Sequence, residues 1–303
     1  MSLYLKYRPT TLDEIVGNQE IVSSLNGMLG DLKSCPHSFL LTGETGCGKT
    51  TIGRIIASRL NCKGQDFREV DSADFRGIDT VREIRKQAQY RPLESSCRVW
   101  LIDECHKMTN DAQSALLKIL EDTPPHVYFI LCTTDPQKLL NTIKGRCSMF
   151  QVKPLTENQM MALLRSVVRA EEERLQKAVF DQIIQDSLGH PRNALQILDQ
   201  VLRVDQEKRL ETARRSAEEQ SQSIELCRAL IGNKSWGTVS GILRGIKDQD
   251  PESIRRHVLG YAQAVLLKND NERAGLVLEE FIEPFYNSGF PQLVYACYSV
   301  TKN

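Results

Sequence analysis

The segment Gly43-Glu44-Thr45-Gly46-Cys47-Gly48-Lys49-Thr50, followed by Thr51, has the spacing G-x-x-x-x-G-K-T. Glycines at these positions let a loop curl until its backbone N–H groups point inward, and a helix opening just after it adds the positive end of its dipole. Such a cradle fits a triphosphate. Lys49 would reach the β- and γ-phosphates, and the Thr50 hydroxyl would ligate Mg²⁺. Further on, Asp103 and Glu104 end the apolar run Val99-Trp100-Leu101-Ile102. Adjacent carboxylates repel unless a cation lies between them and solvent. Asp103 is therefore expected in the Mg²⁺ shell and Glu104 as the base that activates an attacking water. Thr133 and Thr134 close another apolar run. A hydroxyl there either orients water or phosphate, or is an ordinary strand-end threonine.

These groups need a scaffold that brings them to one edge. Phe39-Leu40-Leu41, Phe67 to Val70, Val99 to Ile102, Val127 to Cys132 and Met149 to Val152 read as strands. Helical patterns lie between them, for example Ile52, Ile55, Ile56 and Leu60. This alternation predicts a parallel five-stranded sheet buried on both faces, with ligand-binding residues at the strand C-termini. After Pro154 the pattern is helical. The expected division is an α/β core over 1–152, a small helical unit over 153–205 and a second helical domain over 206–303. The charge-rich stretch Asp205 to Ser223 reads as linker plus helix.

Composition narrows the function classes. The chain has 303 residues, 41% hydrophobic and 26% charged, which suits a soluble protein with ample core. Lysine plus arginine and aspartate plus glutamate both number 39, so bulk positive charge is excluded as a means of holding nucleic acid, although a local stripe is not. Nine cysteines without a C-x-x-C pair read as reduced cytoplasmic thiols, with no zinc site expected. No secretory signal and no membrane span are expected.

The order of further motifs carries a resemblance. The loop, the Asp103-Glu104 pair and Thr133-Thr134 are followed by Gly145-Arg146-Cys147 and Gly189-His190-Pro191-Arg192-Asn193-Ala194-Leu195. Tyr7-Arg8-Pro9 and Val16-Gly17 precede them, and Ala115-Leu116-Leu117-Lys118 and Asp135-Pro136-Gln137-Lys138-Leu139 lie between. Together they resemble AAA+ sliding-clamp loaders, above all the bacterial gamma/tau motor subunits, densely over residues 4–200 and weakly beyond 205. The resemblance implies a P-loop AAA+ domain, a helical lid and an all-helical collar. It implies ATP and Mg²⁺ as cofactors, and as partners the other subunits of a pentameric loader, a sliding clamp, primer–template DNA and, indirectly, the replicative polymerase. It implies Thr134 as the sensor-one position, Arg192 as the sensor-two arginine in cis, and Arg146 as an arginine finger on a neighbouring subunit's nucleotide. Arg8, Pro9 and Val16 would lie by the adenine. Gly145 stands where the family usually has serine, which bears on the positioning of Arg146. The family's four-cysteine module after the P-loop helix has no counterpart around Asn61 to Gln65. A chain ending at 303 is expected to lack the family's polymerase- and helicase-binding tail, and a compact chain of this kind is similar to phage-encoded loaders.

Ile78 to Tyr90 reads as an amphipathic helix with Val81, Ile84 and Ala88 on one face and Arg82, Arg85, Lys86 and Gln89 on the other. By periodicity alone it is a solvated face with Asp79 and Glu83 as partners. By resemblance, Arg76, Ile78, Arg82, Arg85 and Lys86 face DNA, and the clamp contact lies around Arg91 to Ser96. By resemblance Gln113 stands where the family relays DNA contact to the catalytic site, but by residue type it reads first as an exposed helical glutamine. The rivals are a helicase, suggested by Asp103-Glu104-Cys105-His106, a structural subunit that does not hydrolyse ATP, and an AAA+ remodeller of protein substrates.

Overall fold

A computed structural model describes every residue except 33, 73–76, 214–221, 248, 269, 286–287 and 303. By internal contacts the chain divides into two units, one of Met1–Arg174 with Gly189–Gln196 and one of Leu175–Leu188 with Ile197–Asn303.

The first unit opens with a short helix, α1 (Leu3–Lys6), and α2 (Gln19–Gly30). The sheet strands are β1 (Ser38–Thr42), β2 (Phe67–Asp71), β3 (Arg98–Asp103), β4 (Val127–Thr133) and β5 (Ser148–Gln151). They pair in the order β2-β3-β4-β1-β5, all parallel. All five expected strands are present. The crossovers are α3 (Lys49–Arg59), α4 (Ile78–Ala88), α5 (Asn110–Glu121) and the single turn α6 (Asn141–Lys144). Side chains alternate across the sheet with period two. Phe39, Leu41, Val99, Leu101, Ile130 and Cys132 pack with α2 and α3 on one face, while Leu40, Trp100, Ile102, Phe129 and Leu131 pack with α4 and α5 on the other. Helices thus cover both faces, which is why β1, β3 and β4 read as unbroken apolar runs. Strand β2 lies at the edge and is mostly exposed or half-buried. Helix α7 (Glu157–Ala170) follows, started by a reciprocal Thr156–Gln159 capping box.

One buried carboxylate organises the segment before β3. Asp66 is fully buried and accepts N–H groups from Leu93, Glu94 and Ser95, with Arg98 Nη2 at 3.3 Å. Burial by itself disfavours its charge, but the three amides and Arg98 outweigh it and hold the carboxyl below the ordinary carboxylate range. Its stabilising effect is therefore complete above an unfolded value of about 3.9 and is lost as pH falls through the lower folded value. Asp66→Ala strands a buried guanidinium and three amides. It should cost about 3–5 kcal/mol in urea unfolding at neutral pH. A loss below about 1 kcal/mol, the scale of an exposed pair, would contradict this account.

In the second unit, α8 (Lys177–Ser187) and the latter part of α9 (Pro191–Leu202) join α10 (Gln222–Ile231), α11 (Trp236–Gly245), α12 (Pro251–Lys268), α13 (Glu272–Phe281) and α14 (Phe290–Lys302). Their core includes Leu226, Leu230, Val258, Phe281, Phe285 and Val300. Arg255 bridges Glu252 and the carbonyls of Phe281 and Ile282. Leu267, Ile282 and Tyr295 remain exposed. Of the stretch 205–223, expected as linker plus helix, a 3-10 turn covers Gln206–Lys208 and α10 begins at Gln222, while 214–221 lie outside the described residues. No described helix is long and apolar enough to cross a membrane.

Candidate functional site

The loop between β1 and α3 begins where β1 ends beside β5. Gly43 has φ +143, and a Cβ there would lie 2.2 Å from the Val152 carbonyl oxygen, so only glycine fits. Lys49, the first residue of α3, is buried, and its Nζ donates to the Gly43 and Glu44 carbonyls, both at 2.9 Å. Thr50 Oγ1 donates to Asp103 Oδ2 at 2.8 Å, so the end of β3 meets the start of α3. Asp103 Oδ1 in turn accepts the Glu104 amide at 2.9 Å.

Glu104 lies in the left-handed region, φ +48, a conformation that costs a non-glycine residue roughly 1 kcal/mol or more. It places the carboxylate beside the end of β4, where Thr134 Oγ1 donates to Glu104 Oε2 at 3.0 Å. His106 Nδ1 stands 3.0 Å from Thr133 Oγ1 and 3.3 Å from the same Glu104 oxygen. Burial lowers the His106 pKa, keeping the imidazole neutral near pH 7. The two threonines are therefore not equivalent. Thr134 holds Glu104, and Thr133 meets His106 and the Asp135 amide. His106, which entered the sequence reading only as the end of the Asp103-Glu104-Cys105-His106 run, is thus a neighbour of Glu104.

Two cavities meet over this loop. The smaller, about 170 Å³, is lined by Thr45, Lys49, Thr50, Asp103, Glu104 and Arg54, among others. The larger, about 520 Å³, is lined by Tyr7, Pro9, Ile15, Val16, Cys47 and Leu195, among others. Arg8, Gly46, Gly48, Thr51 and Arg192 border both. One compartment is thus polar and cationic and the other largely apolar, the two ends that a nucleoside triphosphate presents. Arg8 and Arg192 make no side-chain hydrogen bond or ion pair among the described residues. Burial first, then the neighbouring Arg54 and Arg192 guanidiniums, pull Arg8 below the ordinary arginine range. Buried Lys49, half-buried Arg8 and exposed Arg192 bring three cations to the loop and fit phosphate, and the facing Thr50 hydroxyl and Asp103 carboxylate fit Mg²⁺. Arg54 is partly neutralised by Glu69 on β2, at 2.8 Å. That pair was missed in the sequence because it joins an unremarkable helix position to an edge strand.

Other expected residues lie elsewhere. Glu44 borders neither cavity and pairs with His190. Arg146 also borders neither. It is tied to Glu121 and to the Thr142 carbonyl on the surface. Arg82, Arg85 and Lys86 are exposed on α4 and Ile78 is half-buried. Among the described residues Arg82 pairs with exposed Asp79. Arg76 lies outside the described residues. Gln113 corrects an expectation, for it is buried rather than exposed. Its Nε2 donates to the Met108 and Lys138 carbonyls, and its Oε1 accepts the Leu140 amide.

Comparison with known proteins extends this picture. Residues 65–156 match the family described as DNA polymerase III, delta subunit. The chain is 36% identical over 225 residues to the DNA polymerase III subunit gamma/tau of Mycobacterium tuberculosis, an alignment covering 67% of this chain and 39% of that protein. It is 33% identical over 219 residues to the tau subunit of Escherichia coli K12, covering 65% of this chain and 34% of that one. The chain thus spans well under half the length of these two relatives. Among solved structures, the RuvB Holliday junction branch migration motor of Thermotoga maritima superposes with a TM-score of 0.59 at 20% identity, over 74% of this chain and 79% of that one.

Proposed function

Because this chain belongs to the AAA+ clamp-loader family, we propose that it is the ATP-hydrolysing motor subunit of a sliding-clamp loader. One observation carries the reading: the phosphate loop, Thr50, Asp103 and Glu104 converge on a cationic cavity, whereas Arg146 stands on the surface away from it. The subunit holds the nucleotide, and its finger faces outward to serve a neighbour.

Lys49 and the loop amides hold the phosphates, and Arg192 reaches the γ-phosphate. Thr50 and Asp103 hold Mg²⁺, which when bound offsets charge on the phosphate oxygens. Glu104, oriented by Thr134, takes the proton of the attacking water. Arg8, Pro9 and Val16 enclose the base. Zinc has no part in this reading. The core over 1–152 drives movement, the helical segment 153–205 acts as lid, and 206–303 forms the collar of a pentamer. Exposed Leu267, Ile282 and Tyr295 support a collar role. ATP binding orders the ring and opens the clamp, and primer–template DNA triggers hydrolysis and release in the cytoplasm, leaving the clamp for the replicative polymerase. The segment Arg91 to Ser96 meets the clamp, since Leu93 is 72% exposed on backbone fixed by Asp66.

The test is steady-state ATP hydrolysis by the assembled complex, with and without primer–template DNA and clamp. Joint stimulation by both supports the reading, and indifference to both sinks it. The surface cations of α4 give a separate expectation. Replacing Arg82, Arg85 and Lys86 by alanine should flatten the salt dependence of DNA binding, by about 0.9 in log–log slope for each phosphate that is no longer neutralised. Fluorescence anisotropy across a salt series measures this, and an unchanged slope would remove α4 from the DNA interface.

A further inference from the structure

We propose that His190 and Glu44 form a latch that holds the start of α9 against the phosphate loop, making His190 a positioning residue for Arg192. This inference rests on the ATPase reading above and concerns the same site.

His190 immediately precedes α9 and is 6% exposed. Its Nε2 lies 2.7 Å from Glu44 Oε2, across 146 residues of sequence. Burial disfavours a charged imidazole, but the Cys47 thiol and the Glu44 carboxylate, both on the loop, outweigh it and raise the group to about 9. The contact is therefore a charge-assisted hydrogen bond at neutral pH.

The backbone on the other side of His190 is fixed as well. Gly189 has φ +80, its carbonyl accepts the Leu155 amide at 2.8 Å, and a Cβ there would meet the Leu155 oxygen at 2.7 Å. A Cβ on Gly46 would lie 3.6 Å from the Cβ atoms of both His190 and Arg192. Loop and helix start are thus in near contact, with glycine setting the spacing. Arg192 borders both cavities, yet no hydrogen bond or ion pair of its own fixes its side chain among the described residues. Its aim depends on where α9 begins. The His190–Glu44 pair is a polar tie between that point and the loop, beside the Cys47 thiol.

The experiment titrates the full chain with fluorescent methylanthraniloyl ATP and ADP, comparing His190→Ala, His190→Gln, Glu44→Gln, Arg192→Ala and His190→Ala/Arg192→Ala. If His190 acts through Arg192, His190→Ala weakens the ATP analogue by about tenfold and the ADP analogue less, and Glu44→Gln shifts both in the same direction. His190→Gln, which keeps a donor, recovers part of the loss, and the double variant binds no worse than Arg192→Ala alone. Additive losses, or equal weakening of ATP and ADP, overturn the latch. So does unchanged binding in His190→Ala and Glu44→Gln while Arg192→Ala is impaired. If melting curves show that His190→Ala unfolds, Glu44→Gln decides, since the Glu44 side chain is 66% exposed and its replacement leaves the core intact. Failure of the unaltered protein to bind either nucleotide overturns the ATPase reading itself, and the latch with it.

Discussion

Replacing Arg146 by alanine is expected to lower ATP hydrolysis in the assembled complex by about 10³–10⁵-fold while leaving nucleotide binding intact. The magnitude is that of a guanidinium brought to the charge that develops on a transferring phosphoryl group. The selectivity for rate over affinity follows from geometry, because Arg146 borders neither cavity of its own subunit. Stability should barely change. The Arg146–Glu121 pair is largely exposed, and such pairs contribute at most about 1 kcal/mol. Presteady-state phosphate release with complex and DNA measures the rate, and nucleotide titration of the isolated chain measures the affinity. Undiminished turnover, or equal losses of rate and affinity, would remove Arg146 from the transition state. Gly145 does not alter this expectation. Its φ is −69°, and the nearest atom to its Cβ position is the Asn141 oxygen at 3.6 Å, so the serine usual in the family would fit there without strain.

Glu104→Gln should reduce the rate by about 10²–10⁴-fold, the range for losing a positioned general base, and should not weaken ATP binding. Glutamine keeps the volume, still accepts the Thr134 hydroxyl and removes the basic oxygen. Lys49→Ala serves as the contrasting control, since it should abolish binding and rate together. Glutamine at 104 also relieves no backbone strain, because the left-handed conformation is unchanged by the substitution. Radiolabelled ATP binding beside single-turnover hydrolysis separates the two effects. A variant that binds ATP and hydrolyses it at the normal rate would assign the base to another group, with the nearby His106 the first to examine.

The parts of this molecule that were legible in its sequence are those governed by local periodicity and by loop chemistry. A strand buried on both faces has to be apolar throughout, so Val99 to Ile102 and Val127 to Cys132 announced themselves. The phosphate loop is legible because each glycine answers a steric demand, as Gly43 does against Val152. What could not be read depends on groups brought together by distant chain segments. Gln113 looks exposed by residue type although its spacing from Leu116 and Leu120 sets it on the buried face of α5, where the 138–140 segment supplies its polar partners. His190 looks like a loop histidine until Glu44 arrives from the far end of the domain. Arg54 and Glu69 each look like solvated charges, and they become one element of the cavity wall only when β2 takes the sheet edge. Arg146 shows the converse. Its exposed position is visible only in the fold, and motif order alone suggested what a surface arginine there would do.

The three amides that converge on Asp66 have an effect at some distance from it. They freeze the backbone that displays Leu93 before anything binds there. A partner landing on that side chain would surrender little chain entropy, so association would be governed by shape and encounter frequency and would not wait for a loop to settle. The same rigidity makes the surface unforgiving. A prefolded projection cannot reshape itself around a poorly matched groove, and its discrimination among partners therefore resides in a carboxylate that no partner touches.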